Sequence, residues 1–569
     1  MYRFQSLDRA YSQWVLVEIK SGEERVVAAL EPSSKKWFSG DVMDSSFELV
    51  ASPIRAGKPI PGVLVLSGAT YGRDGKGRLM YKCVPDDVTL PVFLAPHVHK
   101  NVGFSKKPVD RYVVVEYGSW DAKHPVCIVR SSIGRVDDNE AFYEYQLYRR
   151  GLVVPKPKKT EKQRILEALS AKPVDTVVDD MSSKWAFEDR HDLPTLTIDP
   201  DGCRDFDDAI GWRRVPEGQQ VSVYISNVPA WLEHLAIWDS VKGLPATVYL
   251  PHRVVPMLIE FLSTNLCSLV EGRKRPVLAM DITLRENGSV SLDFVLCTIR
   301  VDRNYRYEDR ALHTDPMYIG LKGATDTLQQ SFPYVAGDLD SHGVVAFYMV
   351  YMNHAVARVL HGAKSGISRT HEGHLSGDRG AVGRVIEGYH GGAAKYVRSG
   401  GPLDRGHGLV GNGLDHYAHI TSPIRRAVDL ANMVVLQSWL GIMSYGGMAQ
   451  RYVTMLDSGL SELNETVKKI SLVHSDCNML AVCTNDPGVL ERVHSGVVVD
   501  ALAEVETGDT RYTVYLEDLS VLYRLRVRSG EEPLEPYSRH DFSIHAFKDE
   551  RTLSRKIRLA VNSRDTPLL

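Results

Sequence analysis

The chain has 569 residues, with 68 basic and 71 acidic side chains and a formal net charge of −3. This length predicts three or four domains, and the near balance of charge excludes a global positive field, so a polyanion would have to bind in a local basic groove. The seven cysteines are odd in number and form no C-x-x-C pair, which indicates reduced thiols and no cysteine-bound structural zinc. We therefore expect an intracellular, reducing compartment, the cytoplasm first, with the nucleus and the mitochondrion left open.

No membrane-spanning segment is expected. The first twenty residues lack the apolar centre of a signal peptide, and the most apolar helix candidate, 344–360, is interrupted by Asn353, His354 and Arg358.

Short β-branched and aromatic runs separated by turn residues fill the first 150 residues. They predict two five-stranded OB-like barrels, at 1–88 and 89–150. Such barrels often bind single strands by stacking bases on aromatic rings in a basic groove. Six aromatic side chains are candidates for stacking, although each is better explained as barrel core: Trp37, Phe38, Tyr71, Tyr81, Phe104 and Trp120.

A basic, proline-containing stretch at 151–164 is predicted to be a linker. From 165 to 488 the pattern is mixed α/β, with helices expected near 231–241, 343–360 and 456–474. Residues 489–569 contain five strand candidates and predict a further barrel, with strands at 493–504, 510–516, 521–527, 540–547 and 553–561.

The stretch 197–210 reads T-I-D-P-D-G-C-R-D-F-D-D-A-I and holds five aspartates within ten residues. Carboxylates held this close resist ionisation unless a cation lies between them. Hard, oxygen-preferring Mg²⁺ is the first choice of ion and Mn²⁺ the alternative. A cluster of this kind is suited to phosphodiester hydrolysis, but Asp- and Gly-rich runs are also common as solvated turns.

A second stretch, 416–435, reads H-Y-A-H-I-T-S-P-I-R-R-A-V-D-L-A-N-M-V-V. Ser422 is a helix N-cap candidate with a proline after it, which would place Arg425 and Arg426 in the first helical turn. Cations there oppose the helix dipole, so the arrangement favours an anion bound by the free N–H groups and a guanidinium. The alternative is an arginine paired with Asp429, four residues after Arg425.

Both stretches resemble the two signatures of the RNase II (RNB) family of 3′→5′ exoribonucleases, and the G-C-x-D-x-D-D form is most similar to the eukaryotic branch that includes the exosome's catalytic subunit. Three stretches between them also match in family order: Y-L-P-H-R-V-V-P-M-L at 249–258, L-C-S-L at 266–269 and R-T-H-E at 369–372. The resemblance implies a multidomain protein in which a mixed α/β RNB catalytic domain follows two cold-shock-like barrels and precedes one OB-fold barrel.

By motif position, the resemblance implies that Asp199, Asp205 and Asp208 are Mg²⁺ ligands and that Asp207 is required for catalysis. Arg425 is similar to the arginine that grips the phosphate near the scissile bond, and it is thus both a catalytic and an RNA-binding candidate. Two aromatic residues complete the RNA-binding and catalytic set: Tyr249, which is similar to a ring that packs on the 3′-terminal nucleotides, and Tyr307, which resembles a further active-site tyrosine. Asp201 has no family counterpart and is expected to be a turn residue.

The sequence also departs from the family pattern. Where the family helix carries a glutamate pair, the nearest residues are Val345, Ala346 and Phe347, and the usual Tyr and His after R-R are replaced by Ala427 and Met433.

Three functional hypotheses follow. The first is a processive, Mg²⁺-dependent hydrolase of single-stranded RNA that releases nucleoside 5′-monophosphates. The second is an RNA-binding relative with little or no catalysis, and the third is a metal phosphodiesterase for DNA or small nucleotides. An RNA helicase or an exosome-like complex would be a compatible partner that the sequence does not identify.

Overall fold

The computed structural model describes residues 1–27, 30–97, 108–152, 163–167, 172–241, 243–332, 339–371, 394–407, 414–504 and 508–562. Most of the predicted basic linker at 151–164 lies outside these ranges, as do Phe104 and the last residue of R-T-H-E. The domain limits at 165, 488 and 489 remain predictions.

Two β structures precede the linker. The first is a five-stranded antiparallel sheet of order β3-β2-β1-β4-β5, with strands Tyr2–Ser6, Trp14–Glu18, Glu24–Arg25, Val42–Met43 and Leu49–Ala51. The second is a closed barrel of five strands, β6 to β10: Ile60–Arg73, Leu79–Pro85, Phe93–His97, Arg111–Ser119 and Val126–Arg135. The predicted boundary between residues 88 and 89 is therefore wrong, because β7 and β8 on either side of it are hydrogen-bonded neighbours in one barrel. A run of strand-forming residues predicts that a strand is present. It does not predict which strands pair, because pairing depends on contacts between residues that are distant in the sequence.

Most of the aromatic stacking candidates are core residues. Trp37, Phe38, Tyr81 and Trp120 are buried in the shared core of these two structures, as the alternative reading predicted. Tyr71, by contrast, is exposed on β6 and stays available for contact with a ligand.

The central unit is a seven-stranded sheet of order β11-β18-β17-β14-β13-β12-β19. Its strands, in chain order, are Glu188–Asp189, Leu196–Asp199, Asp208–Val215, Gly218–Ser226, Lys274–Arg285, Val290–Arg300 and Arg303–Arg306. Two hairpins accompany it: β15–β16 (Val248–Leu250, Arg253–Val255) and β20–β21 (Ile367–Thr370, Lys395–Arg398). Because β12 ends at Asp199 and its antiparallel neighbour β13 begins at Asp208, the aspartate stretch is the loop that joins two adjacent strands.

Eight helices are used below and are numbered in chain order: α1 Asn139–Arg149, α2 Val174–Trp185, α3 Val228–His234, α4 Pro316–Leu328, α5 Ser341–Ala363, α6 Ala427–Trp439, α7 Gly447–Ser458 and α8 Leu460–Asn485. The helix predicted at 231–241 is shorter, since α3 ends at His234 and a 3₁₀ turn follows at Trp238–Val241. The helix predicted at 456–474 covers the junction between α7 and α8 at Gly459.

Helix α5 has the length and apolar composition of a membrane span, but 61% of its most apolar 18-residue window is buried inside the protein. Val344, Phe347, Tyr348 and Val356 of this helix pack in the main core. This burial is typical of the central helix of a folded domain.

The chain ends in a five-stranded antiparallel sheet of order β24-β23-β22-β25-β26. Its strands are His494–Ala503, Thr510–Leu516, Val521–Val527, Arg539–Lys548 and Arg555–Val561, so all five predicted strands are present. Alternation of buried and exposed side chains along β23 and β24 made them visible in the sequence.

A buried ion pair holds the central sheet together. Arg190 donates two hydrogen bonds, of 2.9 and 2.8 Å, to the carboxylate of Asp281 on β17, and both side chains are buried. Removal of one partner would leave the other charge uncompensated in the interior, so Arg190→Ala is expected to lower the stability by about 3–5 kcal/mol. Thermal unfolding followed by circular dichroism would measure this, with the exposed Arg214→Ala as a control; equal midpoints for the two variants would contradict it.

Candidate active site

The structure brings every sequence-predicted site residue to one cavity of about 1220 Å³. Its walls come from the aspartate loop, the β15–β16 hairpin, the start of α5 and the loop before α6. The predicted residues that line it are Asp199, Asp205, Asp207, Asp208, Tyr249, Tyr307 and Arg425. Segments far apart in sequence thus converge as predicted.

Asp207 is the residue through which the two signature stretches touch. Its side chain is only 2% exposed, and its Oδ1 accepts a 2.8 Å hydrogen bond from the backbone N–H of Ile424, 217 residues away. Its Oδ2 lies 3.3 Å from Nε of Arg425, too poorly aligned for a hydrogen bond. Burial raises the pKa of Asp207 well above its usual range, and Arg425 opposes that shift.

Two of the three proposed ligand carboxylates, those of Asp199 and Asp208, are costly to keep ionised. Burial, followed by repulsion from Asp208, raises the pKa of Asp199 to about 7, and burial raises the pKa of Asp208 to about 6. Oδ2 of Asp199 is buried and has no hydrogen-bond partner among the described residues. Asp205 accepts a 3.0 Å hydrogen bond from the hydroxyl of Tyr249.

These features fit a divalent cation. Carboxylates that bind a cation have an unpartnered oxygen and raised pKa values when the positive charge of that cation is missing. A set of ligands made only of oxygen atoms suits Mg²⁺ or Mn²⁺. The donor atoms of these three aspartates do not all lie within 4.8 Å of one another. Among the described residues, a different group of side chains does lie that close together. Ion binding would therefore draw the mutually repelling carboxylates together.

The Thr-Ser-Pro-Ile-Arg-Arg segment does not begin the helix as predicted. Helix α6 starts at Ala427, its N-cap position is Arg426 without a side-chain cap, and Ser422 to Arg425 form a turn before it. The cause is a long-range pairing with the chain at 245–247: Ala427 N–H donates to Pro245 O, and Thr247 N–H donates to Arg425 O. The helix N-terminus is thus not the anion site, and the guanidinium of Arg425 is the remaining candidate.

The two neighbouring arginines have different surroundings. Arg426 is bonded to the fully buried Asp429 at 2.7 Å, so the predicted alternative of a pair with Asp429 holds for Arg426 and is wrong for Arg425. Arg425 is 46% exposed towards the cavity, and its Nη2 donates a 3.2 Å hydrogen bond to Ser422 Oγ. The guanidinium of Arg425 has Asp207 beside its Nε but is partly open to the cavity, where it can meet an anion, whereas the charge of Arg426 is used inside the protein.

Among the cavity residues that the sequence did not predict as part of the site is His342. Its ring stacks on Tyr307 with ring centroids 3.7 Å apart and planes 14° from parallel, at the first turn of α5. A lone histidine at a helix start gives no signal, because the stack depends on a tyrosine 35 positions away in the chain. Of the three residues nearest to the place of the family's helix glutamates, Val345 and Ala346 line the cavity and Phe347 is buried in the core.

Comparison with known proteins supports the predicted family resemblance. Residues 187–314 match the RNB domain model, which confirms the resemblance to the RNB family of 3′→5′ exoribonucleases over this segment. Over 108 residues the chain is 35% identical to Exoribonuclease 2 of Vibrio cholerae, an alignment that covers 19% of this chain and only 16% of that relative's length.

Solved structures show that the architecture extends beyond the RNB domain. RNase R of Mycoplasma genitalium, in complex with ribose-methylated single-stranded RNA, superimposes with a TM-score of 0.67 and 17% identity over 98% of this chain and 100% of that one. Yeast Ssd1, a pseudonuclease, gives a TM-score of 0.51 and 14% identity over 84% of this chain and 66% of that one. The shared fold is that of RNase R, with its all-β domains, and it occurs with and without nuclease activity.

The raised pKa values predict a pH-dependent effect of Mg²⁺. Without a cation, the folded state holds protons on Asp199 and Asp208 more tightly than the unfolded state does, so their contribution to stability is present below pH about 4 and is lost as the pH rises towards about 7. Mg²⁺ binds the deprotonated form, so its apparent affinity should rise over the same interval, by roughly tenfold per pH unit for each proton displaced.

Thermal unfolding should show a larger Mg²⁺-induced rise in Tm at pH 8 than at pH 5. The Asp199→Asn/Asp208→Asn variant should lose this difference, and an equal rise at both pH values in the unaltered protein would contradict the cation site.

Proposed function

We propose that this protein is a hydrolytic exoribonuclease that degrades single-stranded RNA from the 3′ end to nucleoside 5′-monophosphates, processively and with Mg²⁺, or Mn²⁺ as the alternative ion. The observation that carries the proposal is the contact of buried Asp207 with Ile424 and Arg425 in one cavity with three further aspartates. An acidic cation site beside an exposed guanidinium is the combination that phosphodiester hydrolysis needs.

Each residue has a distinct role in this proposal. Asp199, Asp205 and Asp208 would hold the cation, which supplies an activated water and offsets the charge that develops on the phosphate. The guanidinium of Arg425 binds the phosphate through charge-assisted hydrogen bonds. Asp207 keeps Arg425 and the Ile424 backbone in register with the aspartate loop.

The aromatic side chains would bind the nucleotides at the 3′ end. Tyr307 is stacked on His342, which fixes the plane of its ring in the cavity wall. Tyr249 donates its hydroxyl to Asp205, so a nucleotide that packs on this ring would lie next to the cation site. Base stacking is tolerant of sequence, which agrees with a degradative enzyme.

The choice of RNA as substrate is supported by the relatives. Exoribonuclease 2 and RNase R are named as ribonucleases, and the RNase R structure contains single-stranded RNA. The seven cysteines are all unpaired, which supports a reducing, cytoplasmic compartment for this chain. An RNA helicase or an exosome-like assembly is a compatible partner.

A second candidate function is RNA binding with little catalysis. The observation that favours it is that Val345 and Ala346, which line the cavity near the place of the family's helix glutamates, offer no carboxylate; in addition, a pseudonuclease shares the fold. We favour activity because all four aspartates and Arg425 are present and face the same cavity.

The experiment that tests the proposal uses the full chain with Mg²⁺ and two labelled single-stranded RNAs. A 3′-end label should be released as mononucleotide, and a 5′-end label should pass to short end products without a ladder of intermediates if degradation is processive. A DNA oligonucleotide of the same sequence should be resistant, because recognition of the ribose 2′-OH separates RNA from DNA. Intact RNA would support the binding-only candidate, and equal cleavage of DNA would support a general phosphodiesterase.

A further inference from the structure

A second group of potential ligands lies outside the active-site cavity. His361 is in the last turn of α5, Asp404 follows strand β21, and His416 opens the segment that leads to Arg425. One donor atom from each of the three side chains lies within 4.8 Å of the others, and none of the three lines the cavity described above.

Asp404 is the buried centre of this group. Its side chain is 1% exposed, and its Oδ2 accepts hydrogen bonds from His361 Nδ1 at 3.0 Å, Ser368 Oγ at 3.0 Å and Gly400 N–H at 2.9 Å. Its Oδ1 is equally buried but has no hydrogen-bond partner among the described residues. A buried carboxylate oxygen is rarely left unpaired, because its lost hydration is not replaced.

The two imidazoles are packed against each other beside this carboxylate. The rings of His361 and His416 have centroids 4.1 Å apart, and Nδ1 of His416 is also buried without a partner in the described chain. The backbone carbonyl of His416 bonds to Nδ1 of His354 at 2.8 Å, which fixes the segment. A carboxylate oxygen and a ring nitrogen of neighbouring side chains are thus both buried without a partner, as expected of ligand atoms whose metal ion is missing.

We propose that His361, Asp404 and His416 bind a divalent transition-metal ion, and that the donor set fits Zn²⁺. Two imidazoles and one carboxylate form a borderline-soft set that zinc prefers, whereas Mg²⁺ and Ca²⁺ prefer oxygen alone. The donor atoms around tetrahedral zinc are about 3.3 Å apart, so separations within 4.8 Å would have to close by at most about 1.5 Å, which side-chain rotations can provide. Ser368 and Gly400 are the outer hydrogen bonds that orient the carboxylate ligand.

Three protein ligands leave a fourth tetrahedral position, which water would fill. No cysteine takes part, which is why the cysteine pattern did not reveal the site. The absence of a cysteine also distinguishes it from the zinc sites that sequence motifs usually identify.

The ion would act on the architecture of the active site. It would tie the end of α5 to the segment from His416 to Arg425, and Tyr417, the next residue, lines the catalytic cavity. Asn353 of α5 already holds the same segment through Tyr417 and Ile420. The metal is therefore a structural clamp on the loop that presents Arg425, separate from the catalytic cation.

The test measures metal binding by the full chain after removal of metals by a chelator. Millimolar Mg²⁺ is present throughout to occupy the all-oxygen site. Titration with ZnCl₂ should give one tight site per chain and raise the Tm, and Co²⁺ should give the visible absorption of a tetrahedral complex. His416→Ala and Asp404→Asn should each weaken zinc binding at least tenfold, whereas the control His313→Ala, an exposed histidine on a 3₁₀ turn, should bind as the unaltered chain does.

Two results would overturn the proposal: no tight zinc site and no tetrahedral Co²⁺ spectrum in the unaltered chain, or a site that persists unchanged in both ligand variants. Circular dichroism checks that the variants are folded, and the Co²⁺ spectrum needs no variant. The outcome is independent of the nuclease proposal, because an Asp207→Asn chain should bind zinc normally even where it cleaves nothing.

Discussion

The substitution Asp207→Asn is expected to abolish RNA cleavage while the affinity for single-stranded RNA stays equal or rises slightly. Asparagine keeps the oxygen that accepts the hydrogen bond of Ile424 N–H and nearly the same volume, so the contact between the two signature stretches survives. It removes the negative charge beside Arg425 and the cation site. Asp207 is not a cation ligand in this proposal, so the effect acts through Arg425: without the neighbouring charge the guanidinium is no longer held for the phosphate, and a loss of about 10³-fold in kcat is expected.

Asp201→Asn is the matched control for that experiment. Asp201 lies in the same loop, but its side chain is 72% exposed and its 3.1 Å ion pair is with Arg306, which is also exposed. Its loss should change kcat by less than a factor of about three, because exposed ion pairs contribute little. Single-turnover cleavage of labelled RNA and fluorescence anisotropy measure the two quantities. A comparable loss of activity in both variants, or weaker RNA binding by Asp207→Asn, would show that the loop has only a structural role.

The sequence revealed the site because its chemistry is concentrated in two short stretches. Five aspartates in one loop and two adjacent arginines are visible without any contact information, and their convergence followed from the resemblance. Strand positions in the last sheet were visible for a similar reason, since alternation of buried and exposed residues is a local pattern.

What the sequence hid depends on contacts between distant segments. Ser422, with a proline after it, reads as a helix start, but pairing with residues 245–247 takes the backbone groups and delays α6 to Ala427. The predicted boundary between the two barrels was wrong for the same reason, because β7 and β8 pair across it. The stack of His342 on Tyr307 and the His361–Asp404–His416 group also have no local signature.

Arg425→Ala is expected to lower kcat by about 10²–10³-fold, the usual effect of losing one preorganised donor to a developing negative charge. Arg425→Lys should recover part of the activity, since it restores the charge but not the planar fork that binds a phosphate through two hydrogen bonds. The free energy of folding should change little in the lysine variant. In the alanine variant, Asp207 loses its neighbouring cation, so the pKa of this buried carboxyl rises further and its ionised form becomes less populated.

Arg426 provides the contrast that makes the experiment decisive, because it carries the same charge one residue later in the chain. Its partner Asp429 is fully buried and also accepts a 2.8 Å hydrogen bond from Ser422 N–H. Arg426→Ala therefore leaves a buried carboxylate without its cation and should cost about 3–5 kcal/mol of stability. The two alanine variants should thus separate: Arg425→Ala should be nearly inactive and lose less stability than Arg426→Ala, because Asp207, whose pKa is already raised by burial, can take up a proton when Arg425 is lost. If Arg425→Ala retained full kcat in the assay with 3′-labelled RNA, the phosphate would have to be held by another group, and the role assigned to this arginine would be wrong.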